Sequence, residues 1–329
     1  MGMEKRQGKR LLITFTLALT LLLAACTTTS VADTPSAPPA TAEPATTAAP
    51  ILPSPTSTIT STPTVTSTPT PPPCTDTHGT LEEKTVSAPS LKGDLAYLVY
   101  LPPCYDPNRE DGYLSVYLIH GQTYSPQQWV DLGLVEIADR LFSEKIADPY
   151  LIVMPHELNG FADPYHAGFG PAIIENLVPA VDRDYNTCTD RDCRAIGGIS
   201  RGGGWAIYLG YTNLKLFSRI GGHSAVPYIG IDSFISRAKE ANPEIPYPEL
   251  KMDYGRGDNW LHFALAFEKY LIAKEIPYTM EMDSGYHDET YWKRHLENYL
   301  RWYGNAPLIP LSTATPWPTL SGPRATPTP

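Results

Sequence analysis

The chain has little cysteine, no internal repeat, no apolar run long enough for a comfortable membrane span, and no basic run beyond its first ten residues. Five cysteines occur in 329 residues. None are spaced Cys-x-x-Cys, which removes the usual short zinc and redox motifs. Lys and Arg number 25 against 35 Asp and Glu, a formal charge of -10. An acidic chain without a basic stripe is not built to hold nucleic acid. The absence of a repeat excludes solenoid architectures.

What is present falls into four parts. Residues 1–26 begin with Lys5, Arg6, Lys9 and Arg10, followed by the apolar stretch Leu11 to Ala25. That stretch has the length of a signal-peptide core. It ends Leu23-Ala24-Ala25-Cys26, which resembles a bacterial lipobox. The resemblance implies lipidation of Cys26, export, and anchoring at the bacterial cell surface. An ordinary cleaved signal peptide and an uncleaved anchor are the alternatives. Residues 27–73 are dominated by Thr, Pro, Ser and Ala. Such composition cannot bury enough apolar surface to offset ordering, so a disordered linker with polyproline II character is expected. At roughly 3.1 Å per residue it could hold a domain on the order of 100 Å from a membrane. Residues 312–329 have the same character and read as a tail. Residues 74–311 remain, enough for one domain with a sizeable core.

Export permits disulfides. With Cys26 assigned to lipid, Cys74, Cys104, Cys188 and Cys193 make an even set. Cys188 and Cys193 bracket a four-residue loop that a bridge spans easily, and Cys74 with Cys104 would pin the start of the domain. This pairing is favoured; the two other pairings and a zinc site stay open.

Within the domain, strands read at Leu95 to Leu101, Tyr113 to Ile119, Tyr150 to Met154, Arg194 to Ile196, Phe217 to Gly222, Leu250 to Gly255 and Tyr278 to Asp283. Helical periodicity reads at Pro126 to Lys145, Pro171 to Asp184, from Trp205 onward, Asn259 to Lys274 and Thr290 to Tyr303. Strands alternating with helices predict an α/β domain, a mainly parallel sheet with helices on both faces.

The stretch around which the domain is organised is Gly198-Ile199-Ser200-Arg201-Gly202. A G-x-S-x-G sequence between a strand and a helix forms a sharp elbow that presents the serine hydroxyl. A serine needs a base in hydrogen-bond reach, itself held by a third group. His287 follows the last strand and precedes the last helix, where a base belongs; His262 and His295 lie inside helices, and His223 follows the strand after the elbow. Asp258, in the loop after the Leu250 to Gly255 strand, is the expected acid. Its alternative role is to cap the next helix, and Asp283 and Asp253 are rival acids. Oxyanion donors are expected from the backbone amides of Arg201 and Gln122, with His120 holding the loop that carries Gln122.

Leu101-Pro102-Pro103-Cys104-Tyr105-Asp106, Leu118-Ile119-His120-Gly121, Gly198 to Gly203, Gly257-Asp258 and Gly285-Tyr286-His287-Asp288, followed by Trp292, together resemble the putative esterase family. That family includes esterase D, feruloyl esterases, enterochelin esterases and mycolyltransferases. The resemblance covers the whole domain. It implies an α/β-hydrolase fold without cofactor or metal, and a triad on Ser200, Asp258 and His287. Two departures stand out: Cys104 where members often have glycine, and Pro155-His156-Glu157-Leu158 where many have Pro-Asp-Gly.

The expected function is a surface-tethered serine esterase acting through an acyl-enzyme. Feruloyl or acetyl esters on carbohydrate are the favoured substrates, because an exported enzyme on a stalk meets polymers. Tyr124, Trp129, Phe161, Tyr165 and Phe169 are candidate members of an aromatic binding platform; the alternative, favoured for each taken singly, is a simple core or rim aromatic. The alternatives are a binding lipoprotein that kept the fold without the chemistry, transfer of the acyl group to a sugar or lipid acceptor, and a peptidase.

Overall fold

The computed structural model describes residues 74–311. Cys26, the 27–73 segment and the 312–329 tail lie outside the described residues. Eight strands form one sheet in the order β1-β2-β4-β3-β5-β6-β7-β8. They are β1 Thr80–Ala88, β2 Gly93–Leu101, β3 Ser115–Ile119, β4 Leu151–Pro155, β5 Arg194–Ile199, β6 Arg219–His223, β7 Glu249–Gly255 and β8 Tyr278–Asp283. From β4 through β8 the pairing is parallel; β1 and β2 add antiparallel strands at one edge. The expected α/β-hydrolase architecture is thus present, with one strand the sequence did not reveal. β1 carries Glu82, Glu83 and Lys84 and is mostly exposed, so it has no hydrophobic alternation to detect.

The central strands β3, β4 and β5 are buried along their whole length, as expected where helices cover both faces. One face packs on α1 Gln127–Asp131, α2 Leu134–Ser143 and α8 Glu289–Tyr303. The other packs on a helical run comprising α3 Phe169–Pro171, a wide turn Ala172–Leu177 and α4 Val178–Asp184, then on α5 Arg201–Thr212, α6 Ile231–Ala241 and α7 Leu261–Ala273. Val116 and Leu118 point to the first face, Tyr117 and Ile119 to the second. Each large apolar side chain buried this way contributes about 1.5–3 kcal/mol relative to exposure. No helix of the described residues is long and apolar enough to cross a membrane.

Two helix readings change. The run expected from Pro126 to Lys145 is two helices, broken where Gly133 takes φ 98°. A left-handed residue cannot continue an α-helix. α6 was not expected, although Ile231, Phe234, Ile235 and Ala238 recur at helical spacing; Ile231 and Ile235 are buried and Phe234 stacks on Tyr165.

The four domain cysteines form two disulfides, Cys74–Cys104 and Cys188–Cys193. The first closes a loop around β1 and β2. Cys104 adopts φ 59°, the left-handed region that favours glycine. The glycine that the family resemblance leads one to expect there is therefore explained by backbone geometry, and the bridge holds a cysteine in it.

Candidate active site

β5 ends in the elbow. Ser200 has φ 56° and ψ -118°, a conformation that costs of order 1–3 kcal/mol and persists only where surroundings impose it. Three backbone bonds do so: Ser200 N–H donates to the His223 carbonyl at 2.9 Å, and the Ser200 carbonyl accepts from Gly204 at 3.1 Å and Val226 at 3.0 Å. The glycines are required by contact. A Cβ on Gly198 would collide with the Gly202 backbone, and one on Gly202 with the carbonyls of Ile119 and His120. The second approach presses the end of β3 against the start of α5. The loop after β3 therefore lies beside the serine.

The loops after β7 and β8 are zipped together. Arg256 N–H donates to Asp283 O and Gly257 N–H to Gly285 O, both at 2.8 Å. Gly285 sits at φ 145°, where a side chain is strained. This zipper brings Asp258 to His287. His287 Nδ1 lies 2.8 Å from Asp258 Oδ2, and His287 Nε2 lies 2.8 Å from Ser200 Oγ. The Asp258 side chain is fully buried and that of His287 only 15% exposed. Asp258 also accepts the Trp260 N–H through Oδ1 at 2.7 Å, so it starts the helix and faces the imidazole with different oxygens. The His287 ring meets the Trp292 ring edge-on at 5.3 Å, and Trp292 Nε1 donates to Ser224 Oγ at 3.0 Å. Serine, imidazole and carboxylate are thus in line. Such a set can pass a proton from a hydroxyl to a ring whose opposite N–H is held by an anion.

The amides of Gln122 and Arg201 have no hydrogen-bond partner among the described residues. Arg201 opens α5, whose N-terminal dipole favours negative charge at this point. His120 is buried in the loop before Gln122. It accepts Glu157 N–H at Nε2 (2.9 Å), which leaves its proton on Nδ1 to donate to Gly121 O at 2.8 Å. Burial lowers its pKa to about 4, so it is neutral near pH 7. Glu157 also grips the Arg201 side chain, Oε2 to Nε at 2.8 Å and Oε1 to Nη2 at 2.6 Å. Sequence reasoning assigned Glu157 no role. Its signals were the altered residues after β4 and an arginine following the serine.

The other candidates are placed elsewhere. His223 and Asp253 face each other inside the sheet, Nδ1 to Oδ1 at 2.8 Å. Asp253 accepts Tyr299 OH at 2.7 Å, and His223 Nε2 lies 3.1 Å from Tyr303 OH. Burial pushes the Asp253 pKa up, but the hydrogen bond and charge of His223, the charge of His295 and the hydrogen bond of Tyr299 outweigh it and hold it below the ordinary value. Asp283 is engaged by Ser284, Arg294 and His295. His262 lies exposed on α7 and His295 is buried in α8.

Of the five aromatics, two do not belong to a platform. Trp129 is 0% exposed, packed in the core with its ring edge-on to His223. Phe169 is buried against Trp205. Both sit on the inward stripe of a helix, where size and apolarity decide the position. Tyr165 is half-buried, stacked on Phe234 at 4.4 Å with its hydroxyl on Ile229 O. Tyr124, on the turn after Gly121, is 41% exposed, and Phe161 is 78% exposed.

The sequence profile described as Esterase, "Putative esterase", matches residues 88–303. An endo-1,4-beta-xylanase/feruloyl esterase of Xylanibacter ruminicola is 28% identical over 136 residues, 38% of this chain and 19% of that protein. The chain thus matches about a fifth of that relative's length. Among solved structures, a ferulic acid esterase superposes with a TM-score of 0.62 at 23% identity, covering 69% of this chain and 98% of the other. A feruloyl esterase module from Clostridium thermocellum, complexed with sinapinate, gives a TM-score of 0.61 at 18% identity, covering 75% and 94%. A ferulic acid esterase from Anaeromyces mucronatus in complex with ferulic acid gives 0.58 at 21% identity, covering 68% and 90%. At these identities the likeness to solved structures is one of fold. The profile covers most of the chain, and with it the conclusion: this protein belongs to the putative esterase family and carries an α/β-hydrolase fold.

Proposed function

We propose that the protein is a surface-tethered serine esterase that cleaves acyl groups, of feruloyl or acetyl type, from carbohydrate. The observation that carries the reading is the 2.8 Å approach of Ser200 Oγ to His287 Nε2, with His287 Nδ1 on Asp258. Ser200 Oγ attacks the ester carbonyl while its proton moves to His287 Nε2. Asp258 holds the imidazole and stabilises the imidazolium. The carbonyl oxygen, now anionic, is received by the Gln122 and Arg201 amides. Collapse expels the alkoxide, which takes the proton from His287. Water, activated by the same imidazole, then releases the acid and restores Ser200.

Support for aromatic acyl groups comes from the related proteins' descriptions and from the exposed rings of Phe161 and Tyr124. Tethering rests on the sequence ending in Cys26 and on the Thr/Pro-rich 27–73 stretch. The test is hydrolysis of p-nitrophenyl acetate and methyl ferulate by the wild-type chain and Ser200→Ala. Loss of kcat by about four orders of magnitude or more is expected in the variant. Activity surviving in Ser200→Ala would refute the mechanism, and turnover of acetate without ferulate would remove the aromatic acyl assignment.

A further inference from the structure

Glu157 is joined to both sides of the site. Its backbone N–H donates to His120 Nε2, and its carboxylate receives Arg201 Nε and Nη2. The Glu157 and Arg201 side chains are 3% and 12% exposed. The same Nη2 also donates to Ala162 O at 2.8 Å. A bidentate pair of this kind fixes direction as well as distance.

The backbone connection leads to Gln122. His120 Nδ1–H holds the Gly121 carbonyl. That carbonyl and the Gln122 N–H belong to one planar trans peptide, on opposite sides of it. Fixing the oxygen therefore fixes where the N–H points. The side-chain connection leads to Arg201, whose own amide is the other donor. We propose that Glu157 is a positioning residue that couples the Gln122 and Arg201 amides into one rigid oxyanion bracket.

This inference rests on the serine-esterase reading above. A buried ion pair is by itself weak evidence of a stabilising role, because desolvation offsets most of its attraction. The location is more telling: one connection leads to the loop after β3, which abuts the start of α5, and the other to the residue that follows Ser200. His120 stays neutral well below pH 7, which keeps the acceptor at Nε2 in place. Burial works against the charge on Arg201, and Glu157, together with Tyr228 and Asp163, more than restores it. A bracket of this kind acts on the tetrahedral species and not on the bound ester, so its loss reads in kcat.

The experiment compares wild type, Glu157→Gln, Arg201→Met and the double variant on p-nitrophenyl acetate. Inhibition by phenylboronic acid is measured in parallel, since its serine adduct is tetrahedral and anionic. Each single variant is expected to lower kcat about tenfold or more, about 1.4 kcal/mol, with KM within roughly twofold. Boronate affinity should fall in step, and the double variant should be no worse than the poorer single one. If Glu157→Gln folds badly, Arg201→Met reads the same clamp while leaving the Arg201 amide in place. Folded variants with wild-type kcat and boronate affinity would overturn the proposal, as would a rise in KM alone. Failure of the broader reading looks different. The wild-type chain would then take no fluorophosphonate label and Ser200→Ala would stay active, which removes the bracket with it.

Discussion

Among the histidine–aspartate pairs of the described residues, two are each 2.8 Å apart and invite comparison. His223 and Asp253 are register partners on β6 and β7, inside the sheet. Tyr299 closes the second oxygen of Asp253 and stacks on the ring at 3.5 Å, and Tyr303 faces the other nitrogen. His287 and Asp258 sit on loops beyond the strands, and the free side of that ring faces a strained serine. The pair alone therefore decides nothing. What matters is which group the second nitrogen meets and whether a substrate can reach it.

The sharpest way to break this comparison is to neutralise each acid in turn. Asp258→Asn should lower kcat by about 10⁴, because the ring loses its tautomer, with little change in thermal midpoint. Asp253→Asn should do the reverse. Breaking a buried, fully bonded pair costs roughly 3–5 kcal/mol in denaturant unfolding, while kcat per folded molecule stays within a few-fold. Equal losses of kcat from both would erase the distinction.

A third histidine sharpens the contrast, since His120 pairs with backbone groups and no carboxylate. Its folded pKa of about 4 lies below the ordinary 6.5 because burial penalises the charged ring. Between those values the unfolded chain binds a proton that the folded chain does not. Its contribution is complete above about pH 6.5 and is lost as pH falls toward 4, by on the order of 3 kcal/mol. Urea unfolding at several pH values checks this, and His120→Asn should remove that part of the slope. The smallest effect is expected at Phe161, a solvent-facing ring. Phe161→Ala should leave stability within about 0.5 kcal/mol, and raise KM for methyl ferulate a few-fold without altering that for p-nitrophenyl acetate.

The serine, histidine and aspartate positions were legible because each follows a strand that ends abruptly. Gly198 and Gly202 mark the elbow, Gly285 marks the loop before His287, and Gly257 precedes Asp258. The Cys188–Cys193 bridge could be favoured from its short loop, which left Cys74 with Cys104. What stayed hidden depended on contacts between distant segments. The exposed edge strand β1 carries weak apolar alternation, so local pattern could not announce it, whereas the Ile231, Phe234, Ile235 and Ala238 stripe of α6 was legible in the sequence. Trp129 looked like a surface aromatic near a strand end, yet it fills the core, because a helical stripe and a loop rim draw on the same large rings. Glu157 was visible only as a departure after β4; its link to Arg201, across 44 positions of sequence, exists only once the sheet is assembled.

Tyr303 carries a further consequence. Its hydroxyl lies between β5 and β6, where side chains on Gly197 or Gly221 would collide with it. The last turn of the last helix thus plugs a slot in the middle of the sheet. A chain emerging from the ribosome amino end first carries that slot vacant until residue 303 is made, and until then His223 Nε2 lacks the tyrosine hydroxyl that faces it.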